Sequence, residues 1–129
     1  PVTIALFTDT DLQRRARKIA RVGGVKNFTD EQLQYFMQNL PAEFARYDAQ
    51  QTSDYLALNA GLVAMNLVLA LTDQGIGTNI ILGFDKSKIN EVLDIEERFR
   101  PEVLITVGYA AEKVEPSYRL PVDEIIDKR

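Results

Sequence analysis

The alternation of apolar and polar positions divides the chain into strands and helices before any other property is considered. In residues 1–8, Val2, Ile4 and Leu6 alternate with Thr3, Ala5 and Phe7. Both faces of that extended segment carry apolar groups, so an interior strand is expected. Asp9 or Thr10 can cap a helix over residues 11–22, stopped by Gly23-Gly24, with Leu12, Ala16, Ile19 and Ala20 facing inward. Thr29-Asp30-Glu31-Gln32 has the form of a capping box and opens a helix to Leu40, whose apolar stripe is Leu33, Phe36, Met37 and Leu40. Pro41 is expected to interrupt that helix, leaving a further turn or two over residues 42–49.

The two-sided pattern then stops. Between Tyr55 and Leu71 only Asn59, Gly61 and Asn66 break an apolar run, so a helix through it has no polar face. Thr52 or Ser53 offers its cap, and Asp54 places a negative charge in the first turn, where the helix dipole favours it. Gly75 offers a left-handed exit and Gly77 keeps the next turn open. A helix apolar all round is buried in protein or in a membrane. A span needs roughly 20 apolar residues with basic flanks. This run is shorter and its flanks are acidic or neutral, so burial in protein is expected. A small domain rarely surrounds a helix, whereas a second subunit can, because an obligate interface resembles a core cut in half.

Further on, residues 78–82 read as a short strand, Gly83-Phe84 as its exit, and Asp85 as the cap of a helix over 86–93 with Ile89, Val92 and Leu93 inward. Residues 96–100 form a charged loop, and Pro101 precedes a second clear strand over 102–107. Residues 110–121 read as an extended connection. Val122, Ile125 and Ile126 then give the tail an apolar edge that should dock, on this chain or on another subunit. There is no repeat, low-complexity tract or linker, so residues 1–129 are expected to form a single domain. Helices and strands mix without regular βαβ alternation, which favours an α+β class.

Composition narrows the chemistry. The chain has 129 residues, no Cys, no His and a net charge of −4. Disulfides, a thiolate nucleophile, a Ser-His triad and Cys- or His-ligated metals are therefore excluded within it. No metal ligand and no catalytic side chain is assigned, and the net negative charge argues against nucleic acid or anionic lipid as the main partner. An enzyme so composed needs a cofactor to carry the hard chemistry. Arg14, Arg15, Arg17, Lys18 and Arg21 load one helix with cations. The run can be a phosphate patch or a solvated face, and its concentration towards the helix C-terminus fits the latter. Tyr35, Phe36, Phe44 and Tyr47 make the most aromatic stretch. Phe36, Phe44 and Tyr47 are the candidates for lining a pocket for a flat substrate. No secretory signal pattern is present, so a cytoplasmic location is expected.

Several segments in order resemble the nitroreductase family of FMN-dependent NAD(P)H oxidoreductases. They are Ala64-Met65-Asn66-Leu67-Val68-Leu69-Ala70, Gly75-Ile76-Gly77-Thr78, Gly83-Phe84-Asp85, Arg100-Pro101, Leu104-Ile105-Thr106-Val107-Gly108-Tyr109 and Pro116-Ser117-Tyr118-Arg119-Leu120-Pro121. The resemblance implies an α+β flavoprotein fold, a central sheet flanked by helices. It implies an obligate homodimer with the long apolar helix at its core, FMN at the dimer interface, and NAD(P)H as reductant. Nitroaromatics, quinones or similar small molecules would be the electron acceptors, reduced by two-step hydride exchange. A non-catalytic flavin-binding or dimerising module of the same fold is the alternative. Ile81, Leu82 and Gly83 match the family segment that runs along the flavin ring, and Arg119 matches its phosphate-binding arginine. Ser117 stands where some members carry lysine. The family's Arg-rich first helix has no counterpart here, so the chain is expected to correspond to the C-terminal two-thirds of a family member.

Overall fold

Three strands and one long helix account for the centre of the molecule. The computed structural model describes residues 1–23, 28–112, 115 and 117–127, without the side chain of Ala20. Strands β1 (Val2–Asp9), β2 (Gly77–Ile81) and β3 (Phe99–Gly108) form an antiparallel sheet in the order β1-β3-β2. β1 is therefore an edge of the described sheet, not the interior strand expected from its two apolar faces. The interior position belongs to β3, which pairs on both sides and holds the buried Val103 and Ile105.

β3 also begins earlier than expected. It runs through Arg100 and Pro101 because the pairing shifts there: Leu6 faces Val103 while Phe7 faces Pro101. Glu102 is the extra residue of this bulge. A bulge is where a strand tolerates proline, since a ladder hydrogen bond is already missing.

Helix α1 (Leu12–Gly23) starts under Asp11, whose carboxylate accepts the Arg14 amide at 2.9 Å, while Asp9 accepts the amide of Asp11 at 3.1 Å. Leu12 and Ala16 are buried as expected, but Ile19 is 48% exposed. Gly24, half of the expected stop signal, lies outside the described residues. Helix α2 (Asp30–Phe44) has the capping box, with Thr29 and Gln32 each accepting the other's backbone amide. Pro41 does not end this helix. The chain continues one more turn, in which Pro41 gives its carbonyl to the amide of Ala45 at 3.0 Å. A proline near a helix end forfeits one bond and leaves few others to lose.

Helix α3 (Ala49–Asp73) is longer than the apolar run that marks it. Its cap is Asp48, which with Gln51 makes a second capping box, so Thr52 and Ser53 lie within the helix rather than at its cap. Gly75, at φ +72°, provides the left-handed exit. With 25 residues the helix is long and apolar enough, by length and composition, to cross a membrane, unlike the shorter run expected. Its environment is a protein one: α3 lies on an open sheet, whose edge backbone groups could not be satisfied in hydrocarbon.

Leu56, Ala60 and Ala64 form the stripe of α3 that is buried, one residue per turn, and Ala64 meets Val103 and Ile105 in a core bordered by Ile4, Leu6, Leu67, Val68 and Val107. The remainder of α3 is not enclosed by this chain, contrary to the picture of a helix buried on every face. Leu58, Leu62 and Leu69 are 65%, 65% and 59% exposed. Helix α4 is only Ile89–Val92, because residues 86–88 form a turn around Asp85. Helix α5 (Val122–Ile125) and Ile126 leave their apolar side chains exposed, so the tail's apolar edge is not covered by this chain.

Candidate functional site

The end of β2 shapes the most plausible groove. Ile81 makes the last pair of β2, with Leu104. The backbone then leaves the ladder, and Phe84 donates its amide to the carbonyl of Leu82 at 3.1 Å. Next, the Asp85 carboxylate accepts the Ser87 hydroxyl at 2.6 Å and the Ser87 amide at 3.0 Å, and lies 3.3 Å from the Lys88 ammonium. These contacts, the Ser87 hydroxyl foremost and then Lys88, hold the Asp85 carboxyl below its usual value. The turn projects Leu82 into solvent at 67% exposure, and a side chain added at Gly83 would meet nothing within 4 Å. The backbone here is open to a ligand.

A cavity of about 320 Å³ adjoins this turn, walled by Gly61, Ala64 and Met65 of α3, by Ile80 and Leu82, and by Glu102. Glu102 is nine-tenths buried, and one of its carboxylate oxygens, Oε1, accepts from two directions. Thr8 of β1 donates its hydroxyl, and Arg100 donates Nε at 2.7 Å. The same guanidinium reaches α3, donating to the Ser53 hydroxyl at 2.8 Å and to its carbonyl at 3.1 Å. One bulged residue thus ties β1, β3 and α3 together beside the groove. Sequence reasoning did not find this network. The available signal was an acidic residue within an otherwise apolar β3 pattern.

The other expected site residues are dispersed. Arg119 is exposed, donates to the Tyr118 carbonyl at 2.9 Å, and has no carboxylate partner among the described residues. Pro116 lies outside the described residues. Phe36 stacks on Phe28 with ring centroids 5.2 Å apart, whereas Phe44 packs with Tyr47 at 5.5 Å and with Tyr55 at 5.2 Å. None of Phe36, Phe44 and Tyr47 lines the cavity beside Leu82. A larger cavity, about 840 Å³, lies between α1 and the start of β3, and Arg14, Arg15 and Lys18 line it. Arg14 and Lys18 are exposed there, as a solvated face would be, and Arg15 is half-buried.

A two-layer α+β body, with a long helix on a short antiparallel sheet and an open groove at a strand end, suits a flat ligand. The chain belongs to the nitroreductase family, whose model matches residues 2–109. It is 64% identical over 126 residues to "Putative NAD(P)H nitroreductase Spy0809" of Streptococcus pyogenes, covering 98% of this chain and 62% of that protein. The crystal structure of a nitroreductase family protein from Streptococcus pneumoniae TIGR4 superposes with a TM-score of 0.94 at 85% identity, over 100% of this chain and 64% of the other. A "putative nitroreductase in complex with FMN" from Exiguobacterium sibiricum gives a TM-score of 0.89 at 27% identity, over 98% of this chain and 61% of that one. The chain thus spans just under two-thirds of the length of these relatives.

Proposed function

We propose that residues 1–129 are part of a single nitroreductase-like domain that binds FMN and transfers electrons from NAD(P)H to nitroaromatic, quinone or similar acceptors. The protein acts as a cytoplasmic homodimer. The observation that carries this reading is the open backbone at Leu82-Gly83 beside the cavity on α3, at the positions that match the family's flavin-lining segment. The FMN-bound relative supports the cofactor, and the NAD(P)H in the name of the streptococcal relative supports the reductant.

The residues fit the group. Gly83 leaves room for a ring edge against the backbone, Leu82 and Met65 offer apolar surface, and the exposed guanidinium of Arg119 suits a phosphate. Bound FMN supplies the two-electron chemistry, which is why a chain without His or Cys can serve. This chain's residues then have three tasks. Ile81, Leu82 and Gly83 hold one edge of the ring with backbone groups, and Arg119 anchors the phosphate. The outer face of α3 joins the second subunit, which closes the groove and excludes water. Dimerisation is supported by the exposure of Leu58, Leu62, Val63 and Leu69, since an apolar patch of that kind marks an interaction surface.

The test is the full-length protein, purified and examined for flavin absorbance and for NAD(P)H oxidation with a quinone or nitroaromatic acceptor. A preparation that binds FMN and turns over supports the reading. Bound flavin without turnover would point to a non-catalytic flavin module, and no flavin affinity at all would refute the assignment of the groove.

A further inference from the structure

A cavity larger than the groove beside Leu82 is also present. It opens at the opposite edge of the sheet, between α1 and the point where β1 ends and β3 begins, with β3 separating the two. Its volume is about 840 Å³, and its walls divide by chemistry. Ile19, Phe28 and Phe99 supply apolar lining, and Arg14, Arg15 and Lys18 supply cations. Asp9 and Arg98 also border it, but they neutralise one another at 3.3 Å, and Arg98 is further committed to Glu96 at 2.9 Å and to the face of the Phe99 ring.

The three cations of α1 differ from Arg98. Among the described residues none of them makes an ion pair or a side-chain hydrogen bond. Arg15 is half-buried as well, so part of its hydration is lost with no anion in return. A partly desolvated guanidinium without a partner is unfavourable, and a bound anion relieves it. The chain as a whole carries net charge −4, so this concentration of positive charge runs against the overall field. A lining that combines cations with aromatic rings matches a ligand with a charged head and an apolar body.

We propose that this cavity is a second ligand site, separate from the flavin groove, for an amphipathic organic anion: a carboxylate or phosphate head on a flat or acyl apolar body. Arg14, Arg15 and Lys18 hold the head, and Ile19, Phe28 and Phe99 cover the body. The site does not depend on the flavin assignment.

The test uses the full-length protein with FMN added to saturation. Calorimetric titrations with 2-naphthoate, and with 2-naphthamide as its uncharged isostere, are run on the natural protein, on R14Q/R15Q/K18Q and on R14K/R15K/K18R. Naphthoate should bind the natural protein about tenfold more tightly than the amide, the scale of one charge-assisted contact. The glutamine triple should lose that advantage and the charge-retaining triple should keep most of it. Flavin absorbance, which reports any probe in the flavin groove, should respond alike in all three. Equal naphthoate affinity in the natural protein and the glutamine triple overturns the proposal, as does an amide that binds as tightly as the acid. A loss of naphthoate binding matched by a loss of the flavin response also overturns it, because the probe then sits in the groove. Salt tests the natural protein alone, whatever the variants do to folding: naphthoate affinity should fall about threefold or more between about 0.05 and 0.5 M NaCl, through screening. A salt-independent affinity sinks the idea.

Discussion

Two helices of this molecule present faces that the chain leaves bare, and the faces have opposite chemistry. α3 shows solvent Leu58, Leu62, Val63 and Leu69, whereas α1 shows Arg14, Arg17, Lys18 and Arg21. Charged side chains in water need no cover. An apolar patch does, at about 25 cal/mol for each Å² removed from water. The inner sides point the same way. α3 turns Leu56, Ala60 and Ala64 inward and yet leaves Leu58, Leu62, Val63 and Leu69 outside, so it is apolar on both sides, unlike an ordinary amphipathic surface helix. Small residues inside let the helix lie close on β3. Large ones outside are suited to a second surface. The difference between the helices is that α3 leaves an apolar face bare and α1 a charged one.

The largest expected effect breaks that contrast directly. Leu62→Asp in the full-length protein buries an unpaired charge in the proposed interface, and should abolish dimers or folding, a loss of about 3 kcal/mol or more. Arg17→Gln on α1 should leave sedimentation and melting unchanged within about 0.5 kcal/mol. A Leu62→Asp protein that sediments as a stable dimer would rule out the second interface at that position. Next in size is the tie that holds α3 to the sheet. Glu102→Ala leaves Arg100 and Thr8 without their acceptor and should cost about 2–3 kcal/mol in urea unfolding, below the range for a fully buried pair because Arg100 is 30% exposed. Glu102→Gln should recover part of it, and a loss under about 0.5 kcal/mol would show that the network is dispensable.

Arg119 sharpens the comparison on the side of ligands. A hydrogen bond to a charged group contributes about 1.5–3 kcal/mol, so Arg119→Ala should weaken FMN binding about ten- to a hundredfold. Riboflavin, lacking the phosphate, should bind as before, and Lys should rescue only part because it lacks the planar fork. Equal losses for FMN and riboflavin by fluorescence quenching would mean that Arg119 acts through folding. The smallest effect is a pH response. The folded-state pKa of Asp85 is depressed by Ser87 and Lys88, so its contribution is present above the ordinary carboxylate pKa and is lost as pH falls through the lowered value. Amide exchange at Ser87 and Lys88 should quicken in that acid window. Unchanged exchange at Ser87 would remove Asp85 from the account of the turn.

How much of this was legible in the sequence depended on range. The Thr29-Gln32 box, the exit at Gly75 and the three strands follow from neighbours a few residues apart, and all are present. The start of α3 was missed although Asp48 and Gln51 repeat the Thr29-Gln32 spacing, because attention to the apolar run placed the cap too late. The bulge at Glu102 left only one trace in the sequence, an acidic residue in an apolar strand. It exists in the register between β1 and β3, and both its partner Thr8 and Ser53, the partner of Arg100, lie far away in sequence. The same holds for the large cavity: a helical pattern records which cations share a helix, not that Phe99 comes to lie opposite them. Arg119 and the stretch of residues 81–83 remain assignments by family likeness joined to a suitable local geometry.

The strand order has a consequence for synthesis. Val2 pairs with Val107, and the middle of the sheet is the last of its three strands to leave the ribosome. At about 5–20 residues per second, β1 waits several seconds for β3. β2 also waits for β3, the strand it pairs with among the described residues. Closing so long a loop is slow, and contacts this distant in sequence lower folding rates. A nascent chain stalled before residue 99 would hold both strands open, and capture by a chaperone should peak there and fall once Gly108 has emerged.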